Sequence, residues 1–579
     1  MTDVCALAPE VAELFFSSAG HHVQLPLARI RDSRVCWINR CTMMRDPAYK
    51  QSDGNFEKYR QHLLGACGRG IVHPPDRHES TGIADRYGGK GLGQNGGSGR
   101  AAVIGGYYVK GVGRTPLIGR QTDKNHASGG AYLEECVRET ILAEIVRAEF
   151  PYGAVSTLAI IDSGSRQTWA QCSPPKVERR CLLIRPCFLR PAHFERAQEF
   201  LSADNSDGYR DRLRVEHMVR TATNVYNKDA FLSIYAQFWL AWSEQLAYAF
   251  MHRLPHGGDS TSNIAMDGSL LDFGAMAAVP SWARVSLNRG VHPNSEGIVT
   301  LSEALRDHAS SLKLSEIADH LTVNKVAESM ADVSQRFQAV VMREMLRVAG
   351  LTRRQAQALL ASQERAELTA MLLRVLAHFS REEYSVIDVT REPRIPWDMD
   401  ALWSDRPPIH LRPLRQFLMS HLELIRDAKT LEDALHLVTG RCRLRTMGRP
   451  DLYRERFKKS LFRVLETELQ GEALNQENLD ALIWESVCQH RRDSYVEPGG
   501  AVPIGFARDA EVSYVLFRCL KTGREFAVRE SGESGERNGS VWSPAGREDK
   551  RLYTVEMTSR ELVFQSVEVP PLHGTVWLL

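Results

Sequence analysis

The chain has 579 residues, which at about 150 residues per domain is room for two to four domains. With 43% hydrophobic and 25% charged residues it has an ordinary globular composition, outside the disordered, collagen-like and coiled-coil classes. Lys+Arg 73 against Asp+Glu 71 leaves a net charge of +2, which gives no electrostatic case for a nucleic-acid binder.

The 11 cysteines are scattered, with no Cys-x-x-Cys pair, as expected of free thiols in a reducing compartment. The first residues carry Asp3, Glu10 and Glu13 and lack the basic start of a secretory signal. The longest apolar stretches fall far short of the ~20 residues that a membrane helix needs. These features lead to the expectation of a cytoplasmic protein without a membrane or nucleic-acid partner.

Residues 1–80 mix short apolar runs with polar breaks and give little. The stretch 88–99 then holds glycine at 88, 89, 91, 93, 96, 97 and 99. Behind it, Ala101–Ile104 and Tyr107–Lys110 read as two strands across a tight Gly105-Gly106 turn. Residues 131–149 carry apolar side chains at 133, 137, 141, 142, 145 and 146, which is helical spacing. Ala154–Asp162 and Cys181–Ile184 read as further strands. From about residue 192 the pattern is mostly helical, including a long apolar helix over 228–252 that is too apolar all round for a surface helix. An apolar hairpin is expected over Asn263–Phe273, and helices again around 313–383 and 411–491. After Pro498-Gly499-Gly500 the chain reads as a small β-rich appendage, with two strands flanking Lys521-Thr522-Gly523. No internal repeat is present.

A glycine-rich hairpin, a strand lysine, a helix glutamate and a distant Asn followed by Asp-Phe-Gly form a protein-kinase-like order. Glycines let backbone N–H groups approach phosphate oxygens, and a fixed lysine supplies positive charge. An Asn and an Asp supply hard oxygen ligands for Mg²⁺. Each piece alone is weak: glycine-rich loops are usually only loops, and a strand-end lysine is usually solvated.

Four stretches resemble the selenoprotein O pseudokinase family. VKGVGRTPLIGR (109–120) is similar to its KGxGxTPxSR signature, and ECVRETILAEIV (135–146) to its SIREFLASEAL helix. IRPCFLRPAHFE (184–195) resembles its arginine segment ending in RxGHFE, and HGGDSTSNIAMDGSLLDFG (256–274) its loop of metal ligands. The resemblance covers roughly residues 80–280.

The resemblance implies an α+β, protein-kinase-like, two-lobed fold. Its N-lobe would span 1–180, with the glycine-rich nucleotide loop. A mostly helical C-lobe over 181–494 would carry the catalytic loop 256–274, and the β-rich appendage would occupy 495–579. It also implies an adenylyltransferase that binds ATP flipped and transfers AMP to a hydroxyl acceptor, on a protein or a small molecule, with Mg²⁺ or Mn²⁺. Carried over by motif, Gly97, Gly99 and Arg100 match the phosphate loop. Lys110 matches the nucleotide lysine and Glu139 its partner. Ser128 and Gly129 fall at a nucleotide contact, Arg185 and Arg190 match the phosphate arginines, and Asn263 and Asp272 match the metal ligands. Bidentate guanidinium forks suit phosphate oxygens.

The departures matter. Ser262 stands where the family has its catalytic base, and Asp259 on the same loop is the candidate substitute. Ser128 replaces an Asp, the two arginines are closer together, and the family's C-terminal Cys redox motif is absent. Two alternatives stay open. One is γ-phosphoryl transfer, or use of AMP to activate a small molecule; the other is a nucleotide-binding scaffold without catalysis. His252 and His256 are expected to be structural rather than metal ligands, Trp239 and Trp242 core residues, and the basic runs 441–449 and 454–460 solvated helix faces.

Overall fold

A computed structural model describes residues 9–16, 22–72, 78–88, 95–120, 122, 126–170, 172, 175–197, 200, 207–258, 260–282, 284–286, 320–381, 383–385, 395–421, 423, 431–446 and 448–490. Beyond these it describes the backbone of strands between 501 and 578. The chain mixes helix with antiparallel sheet.

The first half is organised by a nine-stranded sheet. Its strands are β1 (Gln24–Arg29), β2 (Arg34–Ile38), β3 (Arg69–Ile71), β4 (Ser80–Ala84), β5 (Ala101–Ile104), β6 (Tyr107–Lys110), β7 (Ala131–Tyr132), β8 (Ala159–Trp169) and β9 (Lys176–Pro186). The order is β2-β8-β9-β6-β5-β4-β1-β3, with β7 also on β9, and every pairing is antiparallel. The β5–β6 hairpin forms as read. Gly105 (φ 57°) and Gly106 (φ 82°) both take the positive φ that a two-residue turn of this hand requires, and Ile104 pairs with Tyr107. Strand β8 begins five residues later than the expected Ala154, and both β8 and β9 run further than read, because a Ser/Arg/Gln-rich extension (163–169) continues the ladder past the apolar core.

Helices precede and cover the sheet. In chain order they are α1 (Pro9–Phe15), α2 (Arg40–Met43), α3 (Pro47–Gln51), α4 (Phe56–Cys67), α5 (Leu133–Glu149), α6 (Asp207–Tyr226) and α7 (Lys228–Met251). Alternate side chains of β9 divide the core: Leu182 and Ile184 pack with Tyr59 and Leu63 of α4, while Cys181 and Leu183 pack with Val137 and Ile141 of α5. Each such Leu or Ile contributes about 1.5–3 kcal/mol by leaving water.

Helix α5 has no solvated face: 14 of its 17 residues are buried, Glu139 among them. The expected polar side is covered by later helices. The later helices are α8 (His320–Val348), α9 (Arg353–Leu360), α10 (Arg365–Phe379), α11 (Arg412–Ser420), α12 (Leu431–Thr446), α13 (Arg454–Arg463) and α14 (Gln476–His490), of which α13 and α14 lie against α5. Phe457 and Leu461 of α13 and Leu479 and Ile483 of α14 join the α5 core. Trp37 Nε1 donates to Asp480 at 2.8 Å, and Arg449 to buried Glu149 at 2.8 Å. Trp239 and Trp242 of α7 are core residues as read, 1% exposed each.

One expectation fails here. Arg441, Arg445 and Arg449 are buried rather than solvated. Arg441 donates to Gly350 C=O at 2.6 Å and Arg445 to Leu351 C=O at 2.8 Å and to Arg347 C=O, so the run satisfies carbonyls where helix α8 ends. The strand pair β10 (Arg284–Ser286) and β11 (Glu383–Ser385) is parallel. The appendage is a six-stranded antiparallel sheet of β12 (Ala501–Arg508), β13 (Ser513–Cys519), β14 (Glu525–Glu530), β15 (Tyr553–Thr558), β16 (Glu561–Gln565) and β17 (Thr575–Leu578). The strands read on either side of 521–523 are β13 and β14, paired Phe517 to Phe526. No described helix is long and apolar enough to cross a membrane.

Candidate functional site

Lys110 ends β6 and is buried, 4% exposed, and Glu139 lies on the second turn of α5. Lys110 Nζ reaches Glu139 Oε1 at 2.5 Å, and Arg185 of β9 reaches Glu139 Oε2 at 2.6 Å. β6 and β9 are neighbours, with Lys110 opposite Leu183 and Tyr108 opposite Arg185, so the sheet register delivers both cations to one carboxylate. Burial alone would lower the Lys110 pKa, and Arg100 adds to that. The carboxylates of Asp272, Glu135 and Glu139 outweigh both and hold it above its ordinary value, so it stays charged.

Arg100, at the start of the β5–β6 hairpin, forks onto Glu135 at 2.6 and 3.0 Å and donates to Gly130 C=O at 2.9 Å. Glu135 Oε1 also lies 3.0 Å from Lys110 Nζ. Glu135 was not singled out in the sequence, although its position four residues before Glu139 places both on one helix face.

The loop glycines are fixed by crowding. Gly97 has φ 144°, and a Cβ there would stand 2.4 Å from the Asp85 carbonyl. Gly99 accepts from Thr115 N–H at 3.0 Å. Gly129 has φ 74°, and a Cβ would fall 2.1 Å from Arg114 N; its carbonyl accepts from Gly113 N–H at 3.1 Å. Ser128 Oγ accepts from Tyr132 Oη at 3.1 Å and from Gly130 N–H at 3.4 Å, so it shapes the turn into β7.

Arg190 is enclosed. Its guanidinium pairs with Asp85 at 3.0 Å, donates to Tyr108 Oη at 2.7 Å and to Ser262 C=O, and lies 4.6 Å from the Tyr87 ring centre. His193 Nε2 stands 2.9 Å from the other Asp85 oxygen. Asp85, Tyr108 and His193 are site residues that the sequence did not signal. Arg190 and Arg185 are 2% and 1% exposed, and the Nε of each is buried without a hydrogen-bond partner among the described residues.

The hairpin expected over Asn263–Phe273 is present in reduced form. Ile264 bridges Leu270, and Leu271 N–H donates to Asn263 C=O at 3.0 Å. Asp272 follows directly in the left-handed region (φ 60°, ψ 70°), a conformation that costs of order 1–3 kcal/mol for a residue other than glycine. Its Oδ1 is 3.5 Å from Lys110 Nζ, and its side chain is 42% exposed, the most open acid of the cluster. Burial raises its pKa, but Lys110, Arg100, Arg185 and Arg190 overcome that and hold the carboxyl well below the usual range. Arg138 of α5, held by Glu134 at 2.7 Å, donates to the carbonyls of Phe273 (3.4 Å) and Gly274 (3.2 Å) and so ties this turn to the helix that carries Glu139.

Asn263 Nδ2 donates to Gly258 C=O at 2.7 Å, which leaves Oδ1 for a cation. No three His, Cys, Asp or Glu side chains converge as a metal site among the described residues. An amide oxygen and a carboxylate are nonetheless hard ligands of the kind Mg²⁺ takes, since it completes its shell with other oxygens and water. Ser262 Oγ shares a 2.6 Å hydrogen bond with Ser260 Oγ. Asp259 lies outside the described residues. His256 Nε2 lies 2.9 Å from Leu271 C=O and His252 Nε2 3.1 Å from Glu344, so both act in hydrogen bonding, as read. The structure therefore brings Arg100, Lys110, Glu139, Arg185 and Asp272 into one charged cluster, while Arg190 is held by Asp85, Tyr108 and Ser262 and acts on Asp272 through its charge.

No protein-family model matches the chain, and comparison with curated proteins finds no match.

Proposed function

We propose that the chain is an ATP- and Mg²⁺-dependent nucleotidyltransferase on a two-lobed kinase-like scaffold, of the selenoprotein O type, which transfers AMP to a hydroxyl. The observation that carries this reading is the grouping of four cations near Asp272: Lys110 Nζ lies 3.5 Å from its Oδ1, and the charges of Lys110, Arg100, Arg185 and Arg190 together hold its carboxyl ionised. Each of the four cations is oriented by Glu135, Glu139 or Asp85, and guanidinium and ammonium groups aimed in this way suit the oxygens of a triphosphate. Lys110, held by Glu139, would bind phosphate oxygens. Arg185 and Arg190 would offset the charge that builds on departing pyrophosphate as the acceptor oxygen bonds to the α-phosphorus. Because Glu139 and Asp85 already engage these arginines, their guanidiniums are aimed before ligand arrives and need no reorganisation. Asn263 and Asp272 would hold Mg²⁺, which when bound neutralises phosphate charge. A base at Asp259 would take the hydroxyl proton; without one, charge positioning carries most of the rate, since general-base catalysis supplies about 10²–10⁴-fold.

The Ser260–Ser262 hydrogen bond, where a carboxylate base would otherwise stand, favours a second reading as a nucleotide-binding scaffold. Purified protein incubated with Mg²⁺, cell lysate and either α-³²P-ATP or γ-³²P-ATP separates the two. AMP transfer puts label into acceptor from the α position only, and Asp272→Ala abolishes it. Label from γ alone means phosphoryl transfer, and ATP binding with no label from either position means the scaffold.

A further inference from the structure

Glu135 and Glu139 lie one helical turn apart, yet they stand in different places relative to the cations. Glu139 is 0% exposed and sits behind Lys110, locked between Lys110 and Arg185. The Glu135 side chain keeps 15% exposure and faces Arg100, whose own side chain is 27% exposed. Arg100 Nη2 and Nη1 meet the two Glu135 oxygens at 2.6 and 3.0 Å, the parallel fork that a guanidinium forms with carboxylate or phosphate alike. Lys110 Nζ completes the set at 3.0 Å from the same Oε1. One carboxylate thus takes, from the loop arginine and the strand lysine together, the contacts that a phosphate group would take from them. The cations hold Glu135 ionised: although burial pushes its pKa up, Arg100 and Lys110 more than reverse that.

We propose that Glu135 is a tethered anion that competes with phosphate for Arg100 and Lys110 and so sets the affinity and selectivity of the site. The proposal rests on the nucleotide reading above. A ligand must displace the carboxylate from Arg100, and only a group able to accept the same fork does so without leaving a guanidinium unpaired, which costs more than a neutral hydrogen bond. Ligands with a terminal phosphate chain are therefore favoured over nucleosides, and the site stays closed to weaker anions. Glu139, which faces away from the ligand side, has no such role and only positions Lys110.

The two carboxylates are distinguished by titrating Mg²⁺-ATP and, separately, inorganic tripolyphosphate into the wild type, Glu135→Gln and Glu139→Gln. Thermal melting of each variant serves as the fold control, and glutamine keeps the volume of the side chain. Glu135→Gln is expected to bind both ligands about tenfold more tightly, the scale of one competing charge-assisted pair, while Glu139→Gln binds them more weakly. Removal of the competitor should also steepen the loss of binding with added salt, since the site then meets the anion with one more uncompensated positive charge. Unchanged or weakened binding by a folded Glu135→Gln overturns the proposal and makes Glu135 a positioning residue. If tripolyphosphate tightens in Glu135→Gln while ATP binds none of the three proteins, the competing anion stands and the nucleotide reading falls.

Discussion

At the residue scale, buried histidines fix how the protein responds to acid. His22 is 8% exposed, with Nε2 3.0 Å from Phe15 C=O. Its pKa is lowered to about 3, first by burial and then by the charge of Arg214 and the neighbouring His217 and His193. The unfolded chain takes up a proton as pH falls below the ordinary histidine value of 6.5, whereas the folded chain does not, so stability is lost on the acid side of 6.5. At 1.36 kcal/mol per pH unit, His22 alone removes about 2 kcal/mol between pH 6.5 and 5. Denaturant unfolding at pH 7.5 and 5.0 should show this loss in the wild type and a correspondingly smaller one in His22→Gln. His193 is shifted in the same direction by burial and adds to the slope. Of the charged site, Lys110, Glu139, Asn263 and Asp272 were legible in the sequence because each belongs to a motif with fixed order. Glu135 and Asp85 were not: a single carboxylate carries no pattern until folding places it beside an arginine.

At the element scale, the hairpin β5–β6 and helix α5 were readable because their signals are local: a two-residue glycine turn, and apolar residues at helical spacing. What sequence could not show is that α5 is enclosed on all sides, since the residues that cover it come from much later in the chain. The buried arginines 441, 445 and 449 were misread for the same reason. A run of basic residues looks solvated until the carbonyls of a helix end are brought against it. The turn that precedes β7 depends on one backbone conformation. Gly129→Ala would place a Cβ against Arg114 N and Gly113 C in a region that disfavours side chains. About 1–3 kcal/mol of destabilisation is expected, and more if the backbone cannot yield. The strain would be felt by Arg100, which donates to the next carbonyl, Gly130. A lowered melting temperature together with weakened ATP binding would bear this out; weakened stability with full binding would separate the turn from the site.

At the scale of the whole molecule, segments far apart in the chain close around the sheet and the helix that carry the candidate site. Arg34, Trp37 and Ile38 near the start bond Gly471, Asp480 and Gln476 near the end. Phe457, 5% exposed, packs into the core of α5 and, among the described residues, has no hydrogen bond or ion pair with the charged cluster. Phe457→Ala should cost about 3–5 kcal/mol, and nucleotide binding should weaken in step with the loss of order in α5, read by hydrogen exchange along residues 133–149. The same arrangement decides when the protein first becomes competent as it is made. Glu149 waits for Arg449 across 300 residues of chain, so a ribosome must synthesise nearly the whole helical half before α5 is closed in. Until then the helix presents apolar surface and uncompensated carboxylates to the cell. Nascent chains should therefore depend on chaperones through most of translation and acquire any power to bind nucleotide late and all at once.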